Sequence, residues 1–139
     1  MKRETIDLKH GRLEVLIDGN FIYIKMFGEY TDNNAVAMTK YLENFFSEVG
    51  GSTIRVWDTT SLSKRGFKVT AKGIERFVEW SREITMKWPE NVVYMVSNSP
   101  FKYGLSRMYE LQASDINSSV IVVHSIDELP ENIKNRIFQ

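Results

Sequence analysis

Hydrophobic and polar positions alternate with a period of two where the first clear pattern appears. Leu13, Val15 and Ile17 are separated by Glu14, Leu16 and Asp18, as in a strand whose side chains point to opposite faces in turn. Asp18-Gly19-Asn20 follows, residues that accept a positive φ, and predicts a hairpin turn. The partner strand, Phe21 to Phe27, sets Ile22, Ile24 and Met26 on one face and Phe21, Tyr23, Lys25 and Phe27 on the other. Past Gly28-Glu29-Tyr30 the period changes. Ala35, Met38, Leu42, Phe45, Phe46 and Val49 recur at helical spacing, with Thr31 or Asp32 placed to cap the first free amides and Gly50-Gly51 to end the helix.

Ile54-Arg55-Val56-Trp57-Asp58 reads as a central strand that opens into Thr59-Thr60-Ser61. Ser61 to Val69 is irregular and basic, and is expected to be a loop or a short turn. A second helix is predicted from about Thr70 toward Trp88, with Ile74, Phe77, Val78, Ser81 and Ile84 on one stripe. Gly73 weakens its first turn, and Pro89 marks its end. Val92 to Val96 predicts a buried strand, and Ser99-Pro100 the start of a helix carrying Phe101, Leu105, Met108, Tyr109 and Leu111. Val120 to Val123 is the last predicted strand, and Ser125 with Glu128 resembles a capping box before a terminal helix holding Ile133 and Ile137. The order implies an α/β fold with a mixed, mainly parallel five-stranded sheet, an antiparallel N-terminal hairpin and about four helices.

Composition narrows the function classes. A chain of 139 residues, 42% hydrophobic, suits one core, and no repeat or linker divides it, so residues 1–139 are expected to form a single domain. The 18 basic and 18 acidic side chains cancel, which removes the global pull on phosphates that a nucleic-acid binder uses. Without cysteine there is no disulfide, thiolate-zinc site or cysteine nucleophile. Neither a signal-peptide core nor an apolar run of membrane-spanning length is present, so a soluble cytoplasmic protein without membrane insertion is expected.

The element order, together with Ile22-Tyr23-Ile24-Lys25-Met26-Phe27-Gly28-Glu29-Tyr30-Thr31-Asp32, resembles the STAS superfamily, the domain shared by sulfate transporters and anti-sigma-factor antagonists. Ile54 to Asp58, Val93 to Val96 and Ile121 to Leu129 continue the likeness over nearly the whole chain, closest to the SpoIIAA-like group. The resemblance implies helices packed mainly on one face of the sheet and a regulatory role exercised through protein contacts. Members switched by phosphorylation carry an Asp-Ser-Ser-Gly signature. Here the matching neighbourhood is Ser63-Lys64-Arg65-Gly66-Phe67-Lys68-Val69-Thr70, which lacks it, so the phosphoacceptor role passes to no residue.

Ligands of open α/β sheets meet the chain beyond the carboxyl ends of the strands. The candidate rim is therefore Asp58, Thr59, Thr60, Ser61, Ser63, Lys64, Arg65 and Lys68, with Ser97, Ser99 and Lys102 from the neighbouring strand end. The acid and hydroxyls could hold a cation, position a water or present a regulated hydroxyl, or they could simply bond the loop backbone. Lys64, Arg65, Lys68, Lys72 and Arg76 suit a phosphate or an acidic partner, or a solvated face shared with Glu75 and Glu79. His10 and His124 lack metal spacing, and neither metal, cofactor nor catalytic set is expected. If the helices lie on one side, Tyr23, Lys25, Phe27, Arg55, Trp57 and Tyr94 share the opposite face, a composition that fits self-association. The expected function is a non-enzymatic interaction domain with a protein partner or a second copy of itself. The alternative is a carrier or sensor of an apolar or phosphate-bearing small molecule held at the rim.

Overall fold

The computed structural model describes residues 1–49, 52–85, 91–99 and 119–138. Along them run β1 (Lys2–Leu8), β2 (Gly11–Asp18), β3 (Phe21–Thr31), α1 (Asp32–Val49), β4 (Thr53–Asp58), β5 (Leu62–Lys68), α2 (Ala71–Thr85), β6 (Asn91–Val96), β7 (Ser119–Val123), a 3-10 turn (Ile126–Glu128) and α3 (Glu131–Ile137). The strands form one mixed seven-stranded sheet, ordered β1-β2-β3-β4-β6-β7, with β5 beside β3. β1, β2 and β3 are antiparallel, and the pairings of β3 with β4 and β5, β4 with β6, and β6 with β7 are parallel.

The expected hairpin is β2–β3, with Gly19 at φ 59° in its turn. Two strands exceed the five expected. The apolar residues of β1, Ile6 and Leu8, are only half-buried and stand between polar or charged neighbours, so its alternation is weak. β5 replaces the loop expected over Ser61 to Val69. It forms because β3 runs for 11 residues: its first half pairs with β4, and Gly28 to Thr31 extend beyond β4 to pair with Leu62 to Lys68. The helix expected over Phe101 to Leu111 lies outside the described residues.

β3, β4 and β6 stand side by side in chain order, and right-handed crossovers between such strands leave their helices on the same face. Met38, Leu42 and Phe45 of α1 and Ile74 and Val78 of α2 accordingly join Leu13, Val15, Ile22, Ile24 and Met26 in one core. The starts of the two helices are tied together. Thr31 Oγ1 accepts the Asn34 amide at 3.3 Å, while Asp32 accepts the Thr70 amide at 2.9 Å and the Thr70 hydroxyl at 2.7 Å. Thr70 Oγ1 in turn accepts the Gly73 amide at 3.0 Å, capping α2. A Cβ at Gly73 would lie 2.1 Å from Asp32 Oδ1. The glycine that costs helix propensity therefore makes room for the carboxylate.

The opposite, reverse face differs from expectation. In the parallel register Ile22 stands beside Arg55 and Ile24 beside Trp57, so Arg55 and Trp57 point toward α1 and α2, and Ile54 and Val56 point the other way. Arg55 is 0% and Trp57 3% exposed, and the Trp57 ring meets Phe77 edge-on at 5.4 Å. The sequence misled because both faces of β4 are covered, so its apolar residues carry no inside-outside signal. The second cover is α3. Leu129, Ile133 and Ile137 pack on Leu16, Phe21, Val56 and Val96, and Arg136 lies over the Phe21 ring at 4.6 Å and donates to the Asp18 carbonyl at 2.6 Å. Among the described residues the two long helices thus share one face and the short α3 covers part of the other. α3 begins after Pro130, later than the capping-box pattern implied. Ser125 and Glu128 belong instead to the 3-10 turn, where the Glu128 carboxylate accepts the His124 amide at 2.6 Å.

Candidate functional site

The rim residues separate into a sealed group and an exposed one. Asp58, at 1% exposure, ends β4 on the reverse face. Its Oδ2 accepts the Tyr23 hydroxyl, and its Oδ1 accepts the Thr60 amide at 2.9 Å and the Thr60 hydroxyl at 2.6 Å. Thr59 is buried and donates from Oγ1 to the Val96 carbonyl at 2.7 Å, 3.5 Å from the Ser97 hydroxyl. Ser97 is also buried, and its amide reaches the Val123 carbonyl at 2.9 Å. Asn98 Nδ2 donates to the Thr60 carbonyl at 3.4 Å. The strand ends are thus stitched together by their own polar groups, which is the backbone-bonding role of short polar side chains.

Ser61 and Ser99 are half-buried at the edge of this cluster, and Lys102 lies outside the described residues. Ser63, Lys64, Arg65 and Lys68 are exposed on β5. Lys68 pairs with Glu29 at 2.6 Å, and Ser63 donates to the Gly28 carbonyl at 3.2 Å. The structure therefore brings together Asp58, Thr59, Thr60 and Ser97, and carries the β5 cations to the side of β3.

The six residues expected to form a self-association face do not share one, although Tyr94, beside Val56, does lie on the reverse face in the cluster under α3. Tyr23, Lys25 and Phe27 are half-buried on the reverse face, whereas Arg55 and Trp57 lie in the core beneath α1 and α2. Their place on the reverse face is taken by residues of β1 and β2. Register puts Arg3 beside Leu16 and Tyr23, Thr5 beside Glu14 and Lys25, and Asp7 beside Arg12 and Phe27. Arg3, Thr5, Arg12 and Glu14 are exposed. Arg12 stacks on Phe27 at 4.3 Å and pairs with Glu14 at 3.3 Å. A hollow of about 220 Å³ opens nearby, between Arg3, Thr5, Glu14, Tyr23 and Lys25. The signal for this surface was present in the alternation of Ile6 and Leu8 with charged residues ahead of the His10-Gly11 turn, where His10 takes a φ of 59°.

Tyr23 joins the open surface to the sealed rim. Burial pushes its pKa well above the usual tyrosine range, and the hydrogen bond to Asp58 and the charge there push it further. Tyr41 is raised by burial and by its 2.6 Å hydrogen bond to Glu4. A tyrosine with a raised folded pKa keeps its proton after the unfolded chain has released it. Its contribution is intact below the unfolded pKa of about 10 and is lost as the pH climbs past that point. In an ultraviolet titration, at least two of the six tyrosines should ionise only on alkaline unfolding. Replacing Tyr23 and Tyr41 by Phe should flatten the loss of stability in that range. Free ionisation of all six in a folded protein would contradict the burial of both hydroxyls.

Among the described residues no three His, Asp or Glu side chains gather as a metal site, and no helix is long and apolar enough to cross a membrane. The class defined is an α/β protein with a mixed sheet, two crossover helices on one face and a shorter helix covering part of the other. Comparison with models of protein families, with curated proteins and with solved structures finds no match to the chain.

Proposed function

We propose that the chain is a non-enzymatic interaction or regulatory domain of STAS or SpoIIAA-like type, working through protein-protein contacts and not through a serine-phosphorylation switch. One observation carries the proposal: α3 closes only part of the reverse sheet face, and the β1–β3 part presents Arg3, Thr5, Arg12 and Glu14 to solvent beside Tyr23 and Phe27. Aromatic rings and arginine on a rigid sheet are the makings of a recognition surface that also survives in water. The hairpin-led sheet, with chain-ordered parallel strands and both crossover helices on one side, supports the superfamily reading. The partner is another protein or a second copy, in the cytoplasmic setting expected from the sequence. The small-molecule alternative has less support at the rim, because Asp58, Thr59 and Ser97 are engaged with their neighbours there.

Photo-cross-linking in cells tests this directly. A benzoylphenylalanine placed at Thr5 or Arg12 should give adducts of defined mass, and the same probe at Lys72, exposed on α2, should not. An adduct of twice the chain mass identifies self-association. Equal yields from Lys72, or none from Thr5 and Arg12, would contradict the proposal.

A further inference from the structure

We infer that the partner contributes acid to this face: the hollow among β1, β2 and β3 receives a carboxylate side chain of an extended protein segment, held between Arg3 and Lys25. This rests on the interaction reading above and specifies its chemistry. Arg3, Thr5, Glu14, Leu16, Tyr23 and Lys25 border the hollow of about 220 Å³. The register sets Arg3 and Lys25 diagonally across β2, one in the row of Leu16 and the other in the row of Glu14.

The two carboxylates that line the hollow, Glu4 and Glu14, are already matched, and so is Asp58 beside Tyr23; Asp7, exposed in the row of Arg12 and Phe27, stands outside the lining. Glu14 pairs with Arg12 at 3.3 Å. Glu4 pairs with Lys2 at 2.7 Å and accepts the Tyr41 hydroxyl, on the side of the sheet facing α1. Asp58 is occupied by Tyr23 and Thr60. Arg3 takes part in no ion pair among the described residues, and Lys25 reaches only the Phe27 ring, at 5.3 Å. Two cations thus flank a hollow whose acids are satisfied, and a carboxylate is the group that completes it.

The shape selects a protein segment over a free anion. All the lining residues come from three adjacent strands, so the hollow is closed from one side only. Small-molecule sites enclose most of their ligand. A free anion here would keep most of its water and gain little from two solvated cations. A segment lying along the sheet adds contact with the Phe27 ring and the Arg12 stem to the same charge pairing.

Amide NMR of the intact chain, titrated with a hexaglutamate peptide and in parallel with glutarate, distinguishes the outcomes. The peptide is expected to shift resonances of residues 3–5, 14–16 and 23–25, less so as salt rises. Arg3→Glu with Lys25→Glu should weaken it at least about tenfold, and the milder Arg3→Gln with Lys25→Gln should fall between. Unchanged melting temperatures show that the fold is retained, and the salt dependence of the unmodified chain is a readout that needs no variant. Glutarate matching the peptide would overturn the inference in favour of a free anion. Absence of shifts at these residues would also overturn it: the interaction reading stands if Thr5 still cross-links and falls with it if Thr5 does not.

Discussion

Asp58→Ala is expected to lower the free energy of unfolding by about 3–5 kcal/mol, among the larger effects a single substitution produces. The carboxylate accepts three donors: the Tyr23 hydroxyl, the Thr60 amide and the Thr60 hydroxyl. Hydrogen bonds to a charged acceptor contribute about 1.5–3 kcal/mol each, less than additively when they share one group. Alanine leaves all three donors without their acceptor at the point where β4 turns away from the sheet. Tyr23→Phe removes one donor and leaves Asp58 its other two partners, so about 1–2 kcal/mol is expected. Urea unfolding of both variants checks the order. An Asp58→Ala loss no greater than that of Tyr23→Phe would mean that the carboxylate does not organise the strand end.

Gly28→Ala is the second large effect, with an internal control in Gly19→Ala. Both glycines hold a positive φ, 74° at Gly28 and 59° at Gly19, which costs a side-chain-bearing residue about 1–2 kcal/mol. Around Gly19 nothing lies within 4 Å of an added Cβ, and its loss should stay near that figure. At Gly28 the Cβ would come 2.6 Å from the His10 carbonyl oxygen, a backbone atom fixed by its 2.9 Å hydrogen bond from the Glu29 amide. Displacing it disturbs the close approach of β2, β3 and β5, so a total of about 3–5 kcal/mol is expected. Equal losses at the two positions would show that β2 and β3 do not approach as described.

These sites mark where the sequence spoke plainly and where it did not. α1 was legible because Ala35 to Val49 has one buried stripe, and the β2–β3 hairpin because Leu13, Val15 and Ile17 alternate on one face ahead of a glycine turn, even though Leu16 is buried on the other. Gly73 was read for its helix propensity, and its space for Asp32 depends on residues 41 positions apart, which no local pattern records. Arg55 and Trp57 were placed on the wrong face for a related reason. A strand covered on both sides loses the contrast that alternation depends on, and the covering helix, α3, lies more than 70 residues further along the chain. Of the rim, Asp58, Thr59 and Ser97 were found because strand ends concentrate polar residues. The open β1–β2 surface was missed because its strongest residues, Arg3 and Arg12, look like ordinary edge charges.

The central claim is that the reverse face is half closed by α3 and half open. The absence of cysteine makes thiol labelling a clean measure of it. With single cysteines at Thr5 and at Val56, the Thr5→Cys thiol is expected to react with a maleimide almost as fast in the native protein as in urea. Val56→Cys should react only as fast as the chain opens. Prompt labelling at Val56 together with protection at Thr5 would invert the two halves and contradict the architecture and the recognition surface alike.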